Sequence, residues 1–387
     1  MDFARLNYIT KKFFINSQVL NIKKINSGLI NKTYIVDHLY DGKKSRFILQ
    51  NLSNSFESQE IVNMNHKLIT YHIKHKINQN LLNLDSNKWE VPMLIRCKSN
   101  NLFGFSSGSD YWRAMKYIEG VFNYECLEDE RMAYQTGLGL AKFHLLCSDF
   151  DCSKLRIGIN NFHNTSYYIN QYLFSIKEYN LIKENEDIKK RTEDIIKSIS
   201  KHFRFADLLF TSLREKAIDK TVIHGDPKLN NFLFDIKEKY VVSLIDLDTV
   251  NSGYFLTDLA DCIRSICNLA GEDPENIENV YFDINSFKYF LRGYISLDNE
   301  KKCHSFRFLL EYIYLIVFEL TIRFLTDFLK SNSYFQINYE SHNLFRAEVQ
   351  YRLLNSFLVQ VPNLSNDLNK MGISSSSKFV SDIQKFV

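Results

Sequence analysis

The spacing of apolar and polar positions changes about a third of the way along the chain. Up to residue 118 it reads as a sheet with one helix. Thr33-Tyr34-Ile35-Val36 and Arg46-Phe47-Ile48-Leu49 are rich in β-branched and aromatic residues, and Asp41-Gly42 between them is a strong two-residue hairpin signal. From Ser58 to about Ile77, the apolar residues Ile61, Met64, Leu68 and Ile69 recur at helical spacing. Strand-like runs return at residues 92–96 and 111–118. From about Glu128 the pattern is mostly helical, most clearly over residues 131–146, 184–203, 256–269 and 305–329. A β insertion at residues 221–224, 232–235 and 240–247 interrupts it, and residues 374–377 read as a surface loop before a short last element. No internal repeat is visible. The pattern predicts an α+β protein with a small antiparallel-sheet lobe over residues 1–118. A larger helical lobe with an embedded hairpin is expected over residues 119–387.

Composition sharpens this picture. The 387 residues are 45% hydrophobic and 14% aromatic, with only 4 Pro and 13 Gly, which excludes a disordered or low-complexity chain. A chain of this size removes roughly three-quarters of its extended surface from water on folding. Lys and Arg number 48 against 45 Asp and Glu, so the formal charge is 48 − 45 = +3 and there is no basic excess of the kind a general nucleic-acid binder needs. The seven cysteines are odd in number and form no CxxC pair, so the expectation is free thiols in a reducing compartment. The first residues lack the basic and apolar regions of a signal peptide. The most apolar stretch, residues 308–329, is interrupted by Glu311, Glu319, Arg323 and Asp327, and so reads as a buried helix, not a membrane span. A cytoplasmic protein with no membrane partner is expected.

The chemistry concentrates in His224-Gly225-Asp226-Pro227-Lys228-Leu229-Asn230-Asn231 and the later Ser243-Leu244-Ile245-Asp246-Leu247-Asp248. Phosphoryl transfer needs a carboxylate to take the proton of the acceptor hydroxyl, and oxygen ligands to hold Mg2+ against the nucleotide phosphates. Asp226 and Asn231 have the spacing of the catalytic-loop aspartate and the metal-binding asparagine of kinases. A hairpin from Phe232 to Ile245 would bring Asp246 beside Asn231. A set of hard oxygen donors without His or Cys suits Mg2+ better than zinc. Asp248 is read either as a second metal contact or as a turn cap. His224 is read as a brace for the loop, and Lys228 as a γ-phosphate contact or a solvated lysine. Asp261 and Arg264 have the spacing of an i,i+3 ion pair.

This segment resembles the motif of the aminoglycoside phosphotransferase and choline kinase superfamily, which shares the protein-kinase fold. A closer resemblance, to the N-acetylhexosamine 1-kinase family, covers most of the chain. It rests on Ser27-Gly28-Leu29-Ile30-Asn31-Lys32-Thr33-Tyr34, Phe47-Ile48-Leu49-Gln50, Trp112-Arg113, Tyr117-Ile118-Glu119-Gly120 and Phe162-His163-Asn164-Thr165. It continues through Asp258-Leu259-Ala260-Asp261-Cys262-Ile263-Arg264, Arg323-Phe324-Leu325-Thr326-Asp327 and Tyr334-Phe335. The resemblance implies a bilobal protein-kinase-like fold, ATP and Mg2+ as cofactors, a small-molecule and preferably sugar substrate, and a monomer or homodimer. It implies that Asp258 braces the catalytic loop. Ser27, Gly28, Asn31, Gln50 and the hinge backbone at Lys116 and Ile118 are the implied nucleotide contacts. Gln50 and Asn51 stand where kinases carry the phosphate-binding lysine, so the usual Lys–Glu pair is replaced, with a Gln50–Asn65 amide pair as the expected substitute.

For the acceptor, Glu311, Glu319, Arg323 and Asp327 fall on one side of an otherwise apolar helix. They form either a stripe of i,i+4 ion pairs or the polar wall of a sugar site. The resemblance implies that Arg323, Tyr334 and Phe335 contact the hexosamine. A kinase of the anomeric hydroxyl of an N-acetylhexosamine is the leading expectation. An amino-alcohol or aminoglycoside kinase, or a catalytically silent pseudokinase, remain the alternatives.

Overall fold

The computed structural model describes residues 3–25, 30–79, 88–179, 185–216, 220–297 and 303–386. Its first lobe is an antiparallel sheet of β1 (Gln18–Ile25), β2 (Lys32–Tyr40), β3 (Lys43–Leu52), β4 (Leu94–Ile95), β5 (Phe105–Ser107) and β6 (Asp110–Lys116). The strand order is β1-β2-β3-β6-β4, with β5 also on β6. The β2–β3 hairpin closes at the Tyr40–Lys43 pair, with Asp41 at φ 50° and Gly42 at φ 75°, as a two-residue turn of right-handed strands requires. Helix α1 (Phe3–Phe13) lies on the outer face, where Leu6, Ile9 and Phe13 join Tyr34, Val36, Phe47, Leu49 and Trp112 in a small core.

Because side chains alternate along strands, the other face looks into a cleft. The register sets two rungs there: Ile35, Ile48 and Met115, then Thr33, Gln50 and Arg113. Helix α2 (Gln59–Asn78) follows β3, its first turn capped by Ser58 Oγ, which accepts from the Ile61 N–H at 3.3 Å.

The second lobe holds β7 (Val121–Phe122), α3 (Glu130–Leu146), α4 (Thr165–Glu178), α5 (Glu186–Ser200), α6 (Phe203–Arg214) and β8 (Thr221–Ile223). Strands β9 (Phe232–Asp235), β10 (Val241–Leu244) and β11 (Asn251–Gly253) come next, then α7 (Phe255–Ile266), α8 (Ile284–Ile295) and α9 (Cys303–Phe306). Helices α10 (Leu309–Leu329), α11 (His342–Lys370) and α12 (Ser377–Ile383) complete it. The strands pair as β10-β9-β7 and β11-β8. Helix α10 is buried on nearly every side, against α11, α7 and α4. This is a kinase-like bilobal architecture. Among the described residues, no helix is long and apolar enough to cross a membrane.

Several elements depart from the sequence pattern for identifiable reasons. Strand β1 is invisible to a period-two search because a register shift between Val19 and Asn21 breaks its alternation. The run at 92–96 shrinks to Leu94–Ile95, since Pro92 has no N–H to give a ladder. The helix expected over 305–329 is broken, with α9 ending at Phe306 and α10 starting at Leu309. Helix α11 runs through Pro362, which reads as a breaker in the sequence.

Candidate active site

The loop after β8 is tightly determined. Gly225 has φ 88°, and a Cβ there would meet Thr249 O at 2.7 Å, so the chain can turn only on glycine. The N–H groups of His224 and Gly225 donate to the Asp258 carboxylate on α7 at 2.6 and 2.8 Å. His144 Nε2 lies 2.9 Å from the same group. Burial pushes the Asp258 pKa up, but His144 and the two loop contacts outweigh it and leave it below the ordinary value. His224, which burial holds neutral, donates from Nε2 to Ile245 O at 2.8 Å and accepts the Asp226 N–H on Nδ1 at 3.3 Å. Asp258 and His224 thus brace the loop from two sides.

Pairing of Leu244 with Phe232 across the β9–β10 hairpin brings Ile245 N–H to Asn231 O at 2.9 Å. Asp246 is therefore next to Asn231, as the spacing predicts. Asn231 Nδ2 donates to Asp226 O at 2.8 Å, which leaves its Oδ1 as an oxygen donor. Asp246 adopts a left-handed φ of 64°, and its buried Oδ1 has no hydrogen-bond partner among the described residues. Burial, then Asp248 and Asp226, push the Asp246 carboxyl up to about 7. Burial likewise raises Asp226 to about 6, with Asp261 and Glu272 adding and Lys228 and Arg264 opposing.

Lys228 Nζ lies 3.8 Å from Asp226 and 3.9 Å from Glu272; burial disfavours its charge, but these two carboxylates raise its pKa above the usual value. It faces the cleft and is not a solvated lysine. Asp261 pairs with Arg264 at 2.7 Å as the spacing suggests, and both also line the cleft. No group of three or more His, Cys, Asp or Glu that could hold a metal occurs among the described residues. Two carboxylates crowded with an orphaned oxygen and an amide carbonyl instead fit a cation that keeps waters and phosphate oxygens as its other ligands, as Mg2+ does.

The cleft encloses about 660 Å³ between the lobes. Ile35, Ile48 and Met115 above, with Leu233 and Ile245 below, make an apolar slot at one end. Lys116 lines the cleft; its N–H donates to Met93 O at 2.8 Å and its ammonium lies 3.2 Å from Glu90. The Ile118 N–H has no backbone acceptor among the described residues. Ser27 and Gly28 lie outside the described residues.

The Gln50–Asn65 pair does not form. Asn65, on α2, reaches the second lobe instead, donating to Arg156 O at 2.6 Å and accepting the Arg156 N–H at 3.1 Å. Gln50 meets its neighbour on the same rung: its Oε1 accepts from Arg113 Nε at 2.9 Å and Nη2 at 2.6 Å, while its Nε2 donates to Thr33 Oγ1 at 2.9 Å. Asp248 is neither a turn cap nor a free metal ligand, because one of its oxygens accepts from Arg113 and the other from Asn31 Nδ2. Asn31 is held in turn by the Ser53 N–H at 3.0 Å.

At the other end of the cleft the stripe on α10 divides. Glu319 lies 3.1 Å from His163 Nδ1, and Asp327 accepts the N–H groups of Tyr334 and Phe335 at 2.8 and 2.9 Å. Arg323 therefore has neither expected ion pair. Its guanidinium is framed by Tyr168, Phe162 and Phe335, with ring centroids 5.1, 5.3 and 5.7 Å away, and has no hydrogen-bond partner among the described residues. Phe335 packs on Phe324 at 4.7 Å, and Tyr334 lines the cleft beside it. Glu311 lies outside the cleft and hydrogen-bonds Ser376 ahead of α12.

His163 was not singled out by its residue type, although it joins the two halves of the site. Its Nε2 lies 2.8 Å from Gly225 O and its Nδ1 faces Glu319. Burial opposes its charge, but the bond to Glu319 and that carboxylate's charge raise the pKa above the ordinary value. Arg113 was likewise missed; its signal was a lone cation in the apolar run Tyr111-Trp112-Arg113-Ala114-Met115.

Comparison with solved structures gives the same architecture. An amicoumacin kinase in complex with AMP-PNP, Ca2+ and Ami is 11% identical, with 91% of this chain and 93% of that chain covered and a TM-score of 0.59. A spectinomycin phosphotransferase in complex with ADP and spectinomycin is 12% identical, with 93% and 99% covered and a TM-score of 0.59. A choline kinase from Cryptosporidium parvum is 13% identical, with 96% and 98% covered and a TM-score of 0.54. At these identities the likeness shows the fold. The profile of the phosphotransferase enzyme family (APH) matches residues 21–283, which include both rungs of the sheet, the 224–248 loop and the bracing aspartate, and the chain belongs to that family.

Proposed function

We propose that this phosphotransferase is a sugar 1-kinase, which uses ATP and Mg2+ to phosphorylate the anomeric hydroxyl of an N-acetylhexosamine. The observation that carries the choice of acceptor is Arg323. It offers a forked donor with no hydrogen-bond partner among the described residues, among aromatic faces suited to the C–H surface of a sugar ring. An amino alcohol or aminoglycoside would need uncompensated carboxylates or an open aromatic cage for its ammonium. Here Asp261 and Glu272 pair with Arg264, Glu319 lies against His163, and the aromatic frame already holds a cation.

In this reading the acceptor hydroxyl lies against Asp226. Its oxygen forms the new bond to the γ-phosphorus as the bond to the ADP oxygen breaks, and its proton passes to the Asp226 carboxylate. Lys228 would meet the transferring γ-phosphoryl oxygens, and Asn231 Oδ1 and Asp246 Oδ1 would hold the metal. When bound, Mg2+ neutralises charge on the β- and γ-phosphates. The adenine occupies the slot between Ile48 and Leu233, with Ile118 N–H as its backbone donor. We place the lobe boundary after Ile118, so that residues 1–118 supply the nucleotide roof and residues 119–387 the loop, metal and acceptor groups.

A panel of N-acetylhexosamines, hexoses, amino alcohols and aminoglycosides, assayed for ADP release with Mg·ATP, tests this. N-acetylhexosamines are expected to give the highest kcat/KM. Preference for a cationic acceptor would overturn the sugar reading and leave a phosphotransferase of another substrate class.

A further inference from the structure

A bound triphosphate brings several negative charges under the sheet, yet the β3 position facing it is an uncharged Gln50. The neighbouring strand supplies what β3 lacks. Arg113 shares the rung of Gln50 and is fully buried, without access to the cleft that Gln50 lines. Its Nε and Nη2 donate to Gln50 Oε1, Nη2 also donates to Asp248, and Nη1 lies 3.4 Å from Asn63 Oδ1.

Two consequences follow from this geometry. An amide whose oxygen is gripped from behind by a guanidinium must turn its nitrogen the other way. One N–H of that nitrogen is bound to Thr33 Oγ1; the second has no acceptor among the described residues, and Gln50 lines the cleft. The contact with Asp248 also crosses from one lobe to the other and ends two residues beyond Asp246, on the loop that carries it. Since Asp248 compensates the charge of Arg113, orientation outweighs net attraction here.

We propose that Arg113 is a positioning residue for the nucleotide phosphates, locking Gln50 with an N–H toward them and tying the Asp246 loop to the roof of the cleft through Asp248. The inference rests on the nucleotide reading given above.

The deciding variant is Gln50→Glu. It keeps a partner for Arg113, and therefore the fold, but replaces the donor with a negative oxygen. Hydrogen bonds to charged groups are worth about 1.5–3 kcal/mol, so AMP-PNP binding with Mg2+, read by calorimetry, should weaken by about tenfold or more. The melting temperature should not fall. Arg113→Met should raise KM for ATP by a similar factor and leave the acceptor KM nearly unchanged, while Arg113→Lys, which cannot bridge both partners, should recover only part of the loss. Wild-type affinity in Gln50→Glu would overturn the proposal. So would a fall in melting temperature of Arg113→Met that raises both KM values together, since that is the behaviour of a structural strut. A wild-type protein that binds no AMP-PNP would overturn the nucleotide reading itself, and this inference with it.

Discussion

The candidate base and metal ligands on the floor of the cleft come from one stretch, residues 224–248, whereas the roof assembles Asn31, Gln50 and Arg113 from separate parts of the sheet. On the floor, a glycine-dependent turn and a short hairpin fix Asp226, Asn231 and Asp246 relative to one another. On the roof, position depends on which strand lies next to which. The floor leaves Asp246 Oδ1 without a partner among the described residues, while Arg113 on the roof is compensated by Asp248, which reaches it from the other lobe. Under the proposed function, one surface takes up a proton and a cation while the other holds still.

Variants of the floor should have the largest effects. Asp226→Asn should lower kcat by roughly 10²–10⁴, the usual worth of a positioned base, with calorimetric affinities for nucleotide and sugar nearly unchanged. Turnover near that of wild type would remove Asp226 from the chemistry. Asp246→Ala should abolish metal-supported activity, and Asn231→Ala should raise the Mg2+ concentration needed for half-maximal rate. Titrations that superimpose on wild type for both variants would break the contrast between floor and roof.

The acceptor wall comes next. Truncating a partly buried cation that meets a ligand costs about 2–5 kcal/mol, so Arg323→Ala should raise the sugar KM more than about tenfold. The KM for ATP should stay constant. Because Arg323 has no ion pair with Glu319 or Asp327, its loss should not lower the melting temperature through a broken bridge. A variant that loses stability and keeps both KM values would return the residue to a structural role.

The smallest effect on activity is expected away from the cleft, at a residue that serves as a control and bears on stability instead. Burial raises the Glu311 carboxyl from 4.5 to about 7, and its Oε2 has no partner among the described residues. The folded state therefore holds a proton that the unfolded chain releases. Stability from this group is intact below about pH 4.5 and falls as pH rises towards 7. Glu311→Gln removes that loss. Its advantage in denaturant unfolding should grow from little near pH 4.5 to about 3 kcal/mol above pH 7, at about 1.4 kcal/mol per unit. A difference that does not vary with pH would show that Glu311 does not titrate in this range.

The same contrast explains what could be read from the chain beforehand. The hairpin at Asp41-Gly42, the helix after Ser58 and the Asp226–Asn231–Asp246 set depend on neighbours within a few turns or one short hairpin, and all are visible as spacing. Arg113 gained its meaning only from the register that sets it against Gln50, and His163 only from a loop that brings it to Gly225 and Glu319. The expected Gln50–Asn65 pair failed for the same reason, as both are amides of plausible reach but α2 directs Asn65 into the other lobe. On α10, periodicity placed Glu311, Glu319, Arg323 and Asp327 on one side, but only the packing of four separate neighbourhoods decided that two line the cleft.

The central claim, that the loop on the floor transfers phosphate to a sugar held by Arg323, is tested most directly by where the phosphorus goes. Wild-type protein is incubated with Mg·ATP and an N-acetylhexosamine, and the product is examined by phosphorus NMR with proton coupling. The account predicts a phosphomonoester coupled to the anomeric proton, absent from a parallel reaction with Asp226→Asn. Phosphate on any other hydroxyl, or an undiminished signal with Asp226→Asn, would contradict it.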